Sequence, residues 1–296
     1  MTRAAAQTEA WLRELEATLA ARLPAEAECH PRLRAAMAHA LLGGGKRLRP
    51  LLLAAASRLG EAQPEAVLLS GAAIEMLHAY SLVHDDLPAM DDDDWRRGRP
   101  TCHKVYGEAM AILAGDALQA QAFGTLAAAL DVARLSREES LACLADFARA
   151  AGPLALVGGQ AGDLDPPSGM EPLAGLRWIH ERKTAALIRC CLGLGARLGQ
   201  LSAPTRERLE EAGLLLGLAF QTVDDLLDQE ASQAVLGKTP GKDRAQGKNT
   251  LPLLAGGQAA RDQARRYLED ALDLLPEDPR ADALRALAVR LVDRRS

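Results

Sequence analysis

Aromatic and β-branched side chains are scarce in this sequence. Phe, Trp and Tyr together make up 3% of the 296 residues, and runs of Val, Ile and Thr are few, which argues against a fold built mainly on strands. Ala and Leu dominate the apolar residues, which are 48% of the chain, and both favour helices. The composition therefore predicts an all-α protein.

Cysteine is rare and follows no recognisable pattern. The five cysteines form no CxxC pair and no zinc-like spacing: Cys29, Cys102, Cys143, Cys190 and Cys191. An odd number scattered through a long chain argues against a disulfide framework. We interpret them as reduced packing residues, and for the adjacent pair Cys190 and Cys191 burial on a helix is favoured over a redox role.

Neither sign of charge dominates, and long apolar runs are missing. The 35 Lys and Arg against 40 Asp and Glu give a net charge of -5, so no broad basic surface for nucleic acid is indicated. The N-terminal segment MTRAAAQTEAWLREL has no long apolar region, and runs such as 51–56 are much shorter than a membrane span. We therefore predict a cytoplasmic protein with no membrane span and no nucleic-acid partner.

Helical periodicity recurs along the chain and is broken mainly at Gly and Pro. The pattern predicts helices over about 64–86, 108–132, 173–200 and 206–228, and loops at 163–172 and 237–249. No linker is long or biased enough to divide the chain. We predict one domain comprising residues 1–296.

Two aspartate clusters lie at the ends of apolar helical stretches. The first is DDLPAMD at 85–91 and the second is DDLLD at 224–228, and arginines or lysines follow both. Carboxylate oxygens are the ligands that Mg²⁺ prefers, and the ion usually completes its octahedron with water and substrate phosphates. The pair of clusters predicts a magnesium-bridged diphosphate site, with the two clusters meeting across space.

The spacing of the second cluster fits one face of a helix. At about 100° per residue, Gln221, Asp224, Asp225 and Asp228 fall on one side, and apolar residues fall on the other. This predicts an acidic face opposite a core face.

The first cluster needs a break in its helix. Asp91 follows Asp85 by six residues and would point away from it on a continued helix. Pro88 disfavours helical geometry at Leu87 and removes a backbone donor. We expect the chain to leave the helix there and to bring Asp91 back toward the ion that Asp85 binds.

Solvated charge, an EF-hand and a nucleotide-binding loop fit these residues less well. Exposed charge is the ordinary role of a lone acidic run, but two clusters that are each followed by cations do not fit it. Asp92, Asp93 and Asp94 are either outer ligands of the ion or solvated charge, and solvated charge is favoured for Asp93 and Asp94. An EF-hand counted from Asp91 would place Arg96 where glycine is needed and Cys102 at the closing glutamate. The segment GGGKRLRP has neither P-loop nor Rossmann spacing.

Motifs that span nearly the whole chain narrow the function. They are GGGKRLRP at 43–50, HAYSLVHDDLPAMDDDDWRRGRPTCHKVYGEAMAILAGDAL at 78–118, GGQAGDLD at 158–165, HERKTAALIR at 180–189, and FQTVDDLLD and LGKTPGKDRAQGKNT within 220–250. Together they resemble the motifs of bacterial short-chain trans-prenyltransferases of the polyprenyl synthetase family, most of all the members that make farnesyl diphosphate. The resemblance implies an all-α bundle of the isoprenoid synthase type, with about ten helices around a central cavity, and a homodimer.

The resemblance also implies roles for individual residues. It implies about three Mg²⁺ ions, held by Asp85, Asp91, Asp224, Asp225 and Asp228, with Asp86 beside them in the first motif. It implies an isopentenyl diphosphate site formed by Lys46, Arg49, His78 and Arg97. The positions that it implies around the allylic diphosphate are Arg96, Lys183, Thr184, Gln221, Lys238 and Lys248.

The implied reaction begins with ionisation of the allylic C–O bond. Magnesium and cationic side chains stabilise the charge on the departing diphosphate, the isopentenyl double bond attacks the carbocation, and loss of a proton completes the product. Thr184 and Gln221 would offer oxygen dipoles to the cation, and helix packing or capping is their alternative role.

Product length is the finer question. His78 and Ser81 lie beneath Asp85 on one helical stripe, and in this family a bulky residue near that position stops elongation. Tyr80 supplies bulk and Ser81 leaves depth, which implies two condensations that end at farnesyl diphosphate. Tyr80 as an ordinary core aromatic is the alternative, as is a geranyl or geranylgeranyl product.

Two further functions stay open. A terpene cyclase would need no second diphosphate pocket, so Lys46, Arg49 and Arg97 argue against it. A noncatalytic partner subunit should have lost an aspartate cluster, and both are intact here. The chain departs from the family pattern at Leu251, where tyrosine is common, and at Gln229 and Glu230.

Overall fold

The computed structural model describes residues 3–234 and 249–292, which are almost entirely helical, as predicted. The α-helices are α1 (Arg3–Ala21), α2 (Pro31–Leu41), α3 (Leu48–Ser57), α4 (Pro64–Asp85), α5 (Cys102–Tyr106), α6 (Glu108–Val132), α7 (Arg137–Ala151), α8 (Leu156–Leu164), α9 (Pro172–His180), α10 (Ala186–Leu198), α11 (Ala203–Ala234), α12 (Leu251–Ala255), α13 (Gly257–Leu274) and α14 (Asp282–Val292). A π turn (Glu181–Ala185), a 3₁₀ turn (Pro279–Ala281) and two short strands, β1 (Trp95–Arg96) and β2 (Arg99–Pro100), complete the elements.

The described residues form two units. The first contains the residues up to Ala54 and Glu61–Ser140, and the second contains Ala55–Gly60 and the residues from Leu141 onward. The prediction of a single domain, in which the two aspartate clusters meet, stays a prediction.

The core of the first unit is the pair α4 and α6, which pack along each other, with α1 and α2 against them. Helix α4 begins with Pro64 at its first turn, where a missing N–H is tolerated. It is apolar on nearly every side, and Ile74, Met76 and Leu77 are fully buried. Each such side chain contributes about 1.5–3 kcal/mol by leaving water, so this helix is a rigid support for whatever follows Asp85.

A β-hairpin that the sequence pattern did not predict follows the first cluster. Strands β1 and β2 are antiparallel, and Arg96 pairs with Arg99. Arg97 and Gly98 form the turn and both have positive φ (53° and 72°), as a two-residue hairpin of the type I′ class requires. Arg96 ends β1 and Arg97 lies in the turn, and their guanidinium groups contact different partners, Asp86 and the carbonyl of Gly44.

The second unit is built around α11, which packs against α10 and α13. Its buried side includes Leu216 and Ala219, both fully buried. The predicted helix over 206–228 is confirmed, although α11 is longer and begins at Ala203. The predicted loop at 163–172 is shorter than expected, because α8 continues through Leu164 and makes Asp163 helical.

The helix predicted over 173–200 is interrupted by the π turn. Two glycines permit close packing on this turn. A Cβ at Gly159 of α8 would overlap the backbone of Lys183, and a Cβ at Gly217 of α11 would overlap Ala185. Single π turns within α-helices are frequent at functional sites.

Two helical stretches are long and apolar enough to cross a membrane by length and composition, Pro64–Asp85 and Arg137–Leu164. The expectation that apolar runs fall well short of a span was therefore too strict. The first stretch is 83% buried within the protein, as a core helix is, and Gly152–Ala155 separates the second into α7 and α8. Such stretches are weak indications of a membrane span.

Candidate active site

The chain turns back on itself after Pro88, as the sequence predicted. The backbone N–H of Asp91 donates to the carbonyl of Asp85 (2.8 Å), and that of Asp93 donates to the carbonyl of Asp86 (3.2 Å). These bonds hold the end of the aspartate segment beside the last turn of α4. The structure therefore brings Asp91 next to Asp85 along the backbone, and a shared ion stays a prediction.

Asp86 has a different environment from its neighbours. It is buried, and it accepts a hydrogen bond from Nε of Arg96 (2.6 Å). Burial raises the pKa of Asp86 to about 6, although the charge of Arg96 opposes the shift. Arg96 also approaches Asp93 (3.5 Å). Both side chains are about one third exposed, and such an ion pair is common for ordinary surface charge.

Arg97 faces the glycine loop that precedes α3. Its guanidinium donates to the carbonyl of Gly44 and lies 3.8 Å from the Glu75 carboxylate. A Cβ at Gly45 would lie 2.7 Å from the Arg97 guanidinium carbon, but that side-chain end can shift. The positive φ of 137° is what favours glycine at this position. Burial lowers the pKa of Arg97 from its ordinary value.

Arg49 and His78 are also brought together. Nη1 of Arg49 lies 3.1 Å from Nε2 of His78. Burial and the nearby Arg49 charge hold the pKa of His78 well below its ordinary value, so the imidazole is neutral and accepts from the guanidinium. Lys46 is exposed on the glycine loop that precedes α3. The predicted isopentenyl diphosphate residues all lie in the first unit: Lys46 on the glycine loop, Arg49 on α3, His78 on α4 and Arg97 in the hairpin turn. The contact between Arg49 and His78 joins two of them.

A further donor group was not expected from the sequence. Asp92, Asp94 and His103 each offer one ligand atom, and these atoms lie within 4.8 Å of one another. Asp94 also forms an ion pair with Lys104 (3.1 Å), which fits its interpretation as ordinary charge. His103 follows the cluster by many residues, so spacing alone carried no signal for it.

The π turn of the second unit carries two predicted residues. Nζ of Lys183 donates to Asp163 of α8 (2.7 Å), a residue of the segment 163–172 that the sequence pattern predicts to be a loop. Thr184 is buried, and its hydroxyl donates to Oε1 of Gln221 on α11 (2.6 Å). Thr184 and Gln221 are therefore in direct contact, and their roles around the allylic substrate stay a prediction.

The polar chain continues along α11. Nε2 of Gln221 donates to Oδ1 of Asp225 (3.0 Å), whose Oδ2 lies 3.5 Å from Nε2 of His180 and 3.5 Å from the N–H of Leu251. Burial lowers the pKa of His180 to about 4 and raises that of Asp225 to about 7. Sequence reasoning did not identify His180 as part of this group.

The second cluster is divided by burial. Asp225 is buried at 7% exposure, Asp224 is half-buried, and Asp228 is exposed. The helical wheel groups all three on one acidic face, and the hydrogen bond from Gln221 fits that grouping for Asp225. Asp225 is buried because His180 and Leu251 also lie against it. Lys238 and Lys248 lie outside the described residues.

The comparisons with known proteins agree with these motifs. The family model described as polyprenyl synthetase matches residues 30–288. The chain belongs to the polyprenyl synthetase family. It is 44% identical over 266 residues to farnesyl diphosphate synthase of Escherichia coli, covering 87% of this chain and 88% of that protein. It is 43% identical over 240 residues to the farnesyl diphosphate synthase of Geobacillus stearothermophilus, covering 81% and 80%.

Solved structures show the same fold for this polyprenyl synthetase. An FPP/GFPP synthase from Zymomonas mobilis superimposes with a TM-score of 0.84 at 38% identity, covering 96% of this chain and 97% of that one. A geranylgeranyl pyrophosphate synthetase from Pyrococcus horikoshii superimposes with a TM-score of 0.84 at 28% identity, covering 98% of both chains. The predicted isoprenoid synthase type of all-α fold is thereby confirmed.

In this polyprenyl synthetase the proposed chain-length residues lie on α4. Tyr80 is buried, and its ring meets His84 edge-on with centroids 5.6 Å apart. Burial raises the pKa of Tyr80 to about 12, so the phenol is neutral. Ser81 is buried, and its hydroxyl donates to the carbonyl of His78 (2.9 Å), which satisfies that hydroxyl within the helix.

Proposed function

We propose that the chain condenses isopentenyl diphosphate head-to-tail with dimethylallyl and then geranyl diphosphate to give (2E,6E)-farnesyl diphosphate. Relatives named farnesyl diphosphate synthase, at 44% and 43% identity, support this reaction. The single observation that carries the proposal is the return of the chain after Pro88, with the Asp91 N–H 2.8 Å from the Asp85 carbonyl. It sets two carboxylate residues at the end of one buried helix, beside the arginines of the hairpin.

The donor residues of both clusters fit magnesium. Carboxylate oxygens are hard ligands, and Asp85, Asp91, Asp224 and Asp228 are each half-buried or exposed, which leaves room for water and phosphate oxygens around an ion. We propose that these residues hold the magnesium, about three ions in all. When bound, magnesium would offset the charge that develops on the departing diphosphate.

The cationic residues of the chain divide between two diphosphates in this proposal. Lys46, Arg49 and Arg97 would bind isopentenyl diphosphate, with neutral His78 orienting Arg49 through their 3.1 Å contact. Arg96 and Lys183 would bind the allylic diphosphate, as would Lys238 and Lys248. Arginine forms planar, bidentate contacts with phosphate, and Asp86 fixes the plane of the Arg96 guanidinium by accepting from its Nε (2.6 Å).

The bond changes are balanced without a further reactant. The allylic C–O bond breaks with its electron pair leaving on the diphosphate, and the isopentenyl double bond then attacks the allylic carbon. The Thr184 hydroxyl oxygen faces the cation in this proposal. The proton lost in forming the new double bond passes to the released diphosphate.

Purified protein, incubated with isopentenyl and dimethylallyl diphosphates and magnesium, tests the function directly. We expect a C15 alcohol as the main product after dephosphorylation. Mainly C10 alcohol would favour the geranyl alternative, and mainly C20 alcohol would favour the geranylgeranyl alternative. A cyclic hydrocarbon would indicate a terpene cyclase. If the purified chain makes no product alone and product forms only when a partner protein is added, the chain is a noncatalytic subunit.

Replacing Tyr80 with Ala is expected to lengthen the product beyond C15. The buried ring occupies space on α4 five residues before Asp85, and its removal leaves a cavity that an extended isoprenoid tail can enter. Product sizing by chromatography measures the shift. Tyr106→Ala, the same change in α5, is the control and should leave product length unchanged. If Tyr80 is an ordinary core aromatic, the variant loses about 3–5 kcal/mol of stability and still makes C15.

We also propose a homodimer. Helix α6 is largely apolar, although Asp116, Gln119 and Gln121 interrupt it, and its Ile112 and Leu113 are 45% and 51% exposed. A largely apolar helix is normally buried, so a second copy of the chain is a suitable cover. Light scattering should give a mass near twice 31.5 kDa, and Leu113→Glu should shift it to one chain. Val289→Glu, at an exposed site on α14, is the matched control.

A cytoplasmic location stays a prediction.

A further inference from the structure

The three side chains Thr184, Gln221 and Asp225 have fixed donor and acceptor roles. A carboxylate oxygen accepts, so the side of the Gln221 amide that faces Oδ1 of Asp225 (3.0 Å) must be its NH₂ group. The amide oxygen then faces Thr184, whose hydroxyl donates to it (2.6 Å). The single Thr184 proton is thereby committed, and what the Thr184 oxygen offers in other directions is lone pairs.

The same orientation holds for the ionised carboxylate and for a carboxyl that carries its proton on Oδ2. That proton then faces Nε2 of His180 (3.5 Å), and Oδ1 still accepts from Gln221. Reversing the amide would place its NH₂ group against Thr184. The Thr184 hydroxyl oxygen would then accept from the amide, and its own proton would be free to point toward the allylic cation. A positively polarised hydrogen repels a cation.

Asp225 is also poorly placed to bind an ion. Its two oxygens have three protein partners, Gln221, His180 and the N–H of Leu251. Its side chain is buried, whereas Asp224 is half-buried and Asp228 is exposed. A magnesium ligand keeps an oxygen directed at the ion and at the water around it, which the surroundings of Asp225 do not favour. The Leu251 contact is made by the backbone, so leucine there in place of tyrosine leaves it unchanged.

The resemblance to other prenyltransferases places Asp225 among the metal ligands. We propose instead that Asp225 is a positioning residue: it holds the Gln221 amide so that Thr184 presents only oxygen lone pairs to the allylic cation. The metal contacts of the second cluster then belong to Asp224 and Asp228. The inference rests on the proposed prenyl transfer and assigns one residue of that site a new role.

A double-mutant cycle tests whether Asp225 acts through Gln221. We expect Asp225→Ala alone to lower kcat by about tenfold to a hundredfold, as loss of a hydrogen bond to a charged group does, with KM for isopentenyl diphosphate unchanged. In a Gln221→Ala background the same change should cost less than about threefold, since residues that act as a unit are non-additive. Effects that simply multiply would overturn the proposal.

Metal binding gives a readout that does not depend on turnover. Free Mn²⁺ is measured by electron paramagnetic resonance while protein is titrated in the presence of inorganic pyrophosphate. Asp225→Asn should bind Mn²⁺ as the unchanged protein does, because Asp225 is not a metal ligand in this proposal and asparagine keeps an acceptor for Gln221. Asp224→Asn removes a proposed ligand and should bind Mn²⁺ more weakly. Equal weakening in the two variants would make Asp225 a ligand and overturn the proposal.

The two proposals fail in distinguishable ways. If the unchanged protein transfers no prenyl group, the proposed function is wrong, and the Mn²⁺ measurement still reports on Asp225. Thermal unfolding by circular dichroism shows whether Asp225→Ala has lost its fold. If it has, Asp225→Asn replaces it, and Asp225→Asn should lower kcat by less than tenfold. A loss in kcat as large as that of Asp224→Asn would overturn the proposal.

Discussion

Replacing Asp85 with Asn is expected to lower kcat by about three orders of magnitude, with a smaller change in the KM of either diphosphate. The variant keeps the size of the side chain and the end of α4, but it removes a negative charge where we propose that magnesium binds. The interaction matters most in the transition state, where charge builds on the departing diphosphate, so the loss appears in kcat. Steady-state rates over a range of magnesium concentrations measure it.

The control for Asp85 is the same chemical change at an exposed acidic site. Asp131 lies near the end of α6 and is exposed, and Asp131→Asn should leave the rate within about twofold of normal. Asp224→Asn should behave like Asp85→Asn. Near-normal turnover in either cluster variant at low magnesium would remove that cluster from the proposed site.

Replacing Glu75 with Leu is expected to destabilise the protein by about 3–5 kcal/mol, which corresponds to a fall in Tm of roughly 10 °C for a chain of this size. Glu75 and Arg47 are both 2% exposed and form a 2.6 Å ion pair. Removing the carboxylate leaves the Arg47 guanidinium buried with only part of its hydrogen-bonding partners. Those that remain are Glu16 (2.7 Å) and the carbonyl of Leu41 (2.9 Å). Thermal and urea unfolding measure the loss.

The charge of Arg47 explains why the pair matters. Burial alone would lower the pKa of Arg47, but hydrogen bonds and the charges of Glu16 and Glu75 raise it above its ordinary value. The guanidinium therefore stays charged and needs its partners. Glu65→Leu, at an exposed site on the first turn of the same helix, should change stability by less than about 0.5 kcal/mol. A Glu75→Leu variant as stable as this control would show that the ion pair contributes nothing.

Local sequence patterns predicted the helices and one of the turns. The apolar run of α4 and the effect of Pro88 were both readable, because they depend on neighbours in the chain. Interactions between neighbours in the chain are enough to specify both features. The resemblance implied that Thr184 and Gln221 each lie around the allylic substrate, but it did not predict their 2.6 Å hydrogen bond to each other.

Contacts between distant residues were not predictable in the same way. Lys46, Arg47 and Arg49 are nearly adjacent, yet only Arg47 is buried against Glu75, 28 residues away. A helical wheel assigned Asp225 to an acidic face, but the depth of a residue depends on which helices pack around it, and here Leu251 and His180 cover it. For the hairpin turn at Arg97 and Gly98 the sequence offered one weak sign, the glycine at its second position. The positive φ of Arg97 was not predictable from the sequence.

The π turn at Glu181–Ala185 has a consequence for how this helix tolerates insertions and deletions. A π turn closes from residue i to i+5, so it holds one residue more than an α turn, and the helix from α9 to α10 behaves as if it carried a single-residue insertion. Deleting one residue from the turn would restore a regular helix and rotate one side of it by about 100° relative to the other. Thr184 would then no longer face Gln221 while the buried face of α10 kept its place. The length of this short segment, as much as the identity of its residues, determines which way the polar groups point.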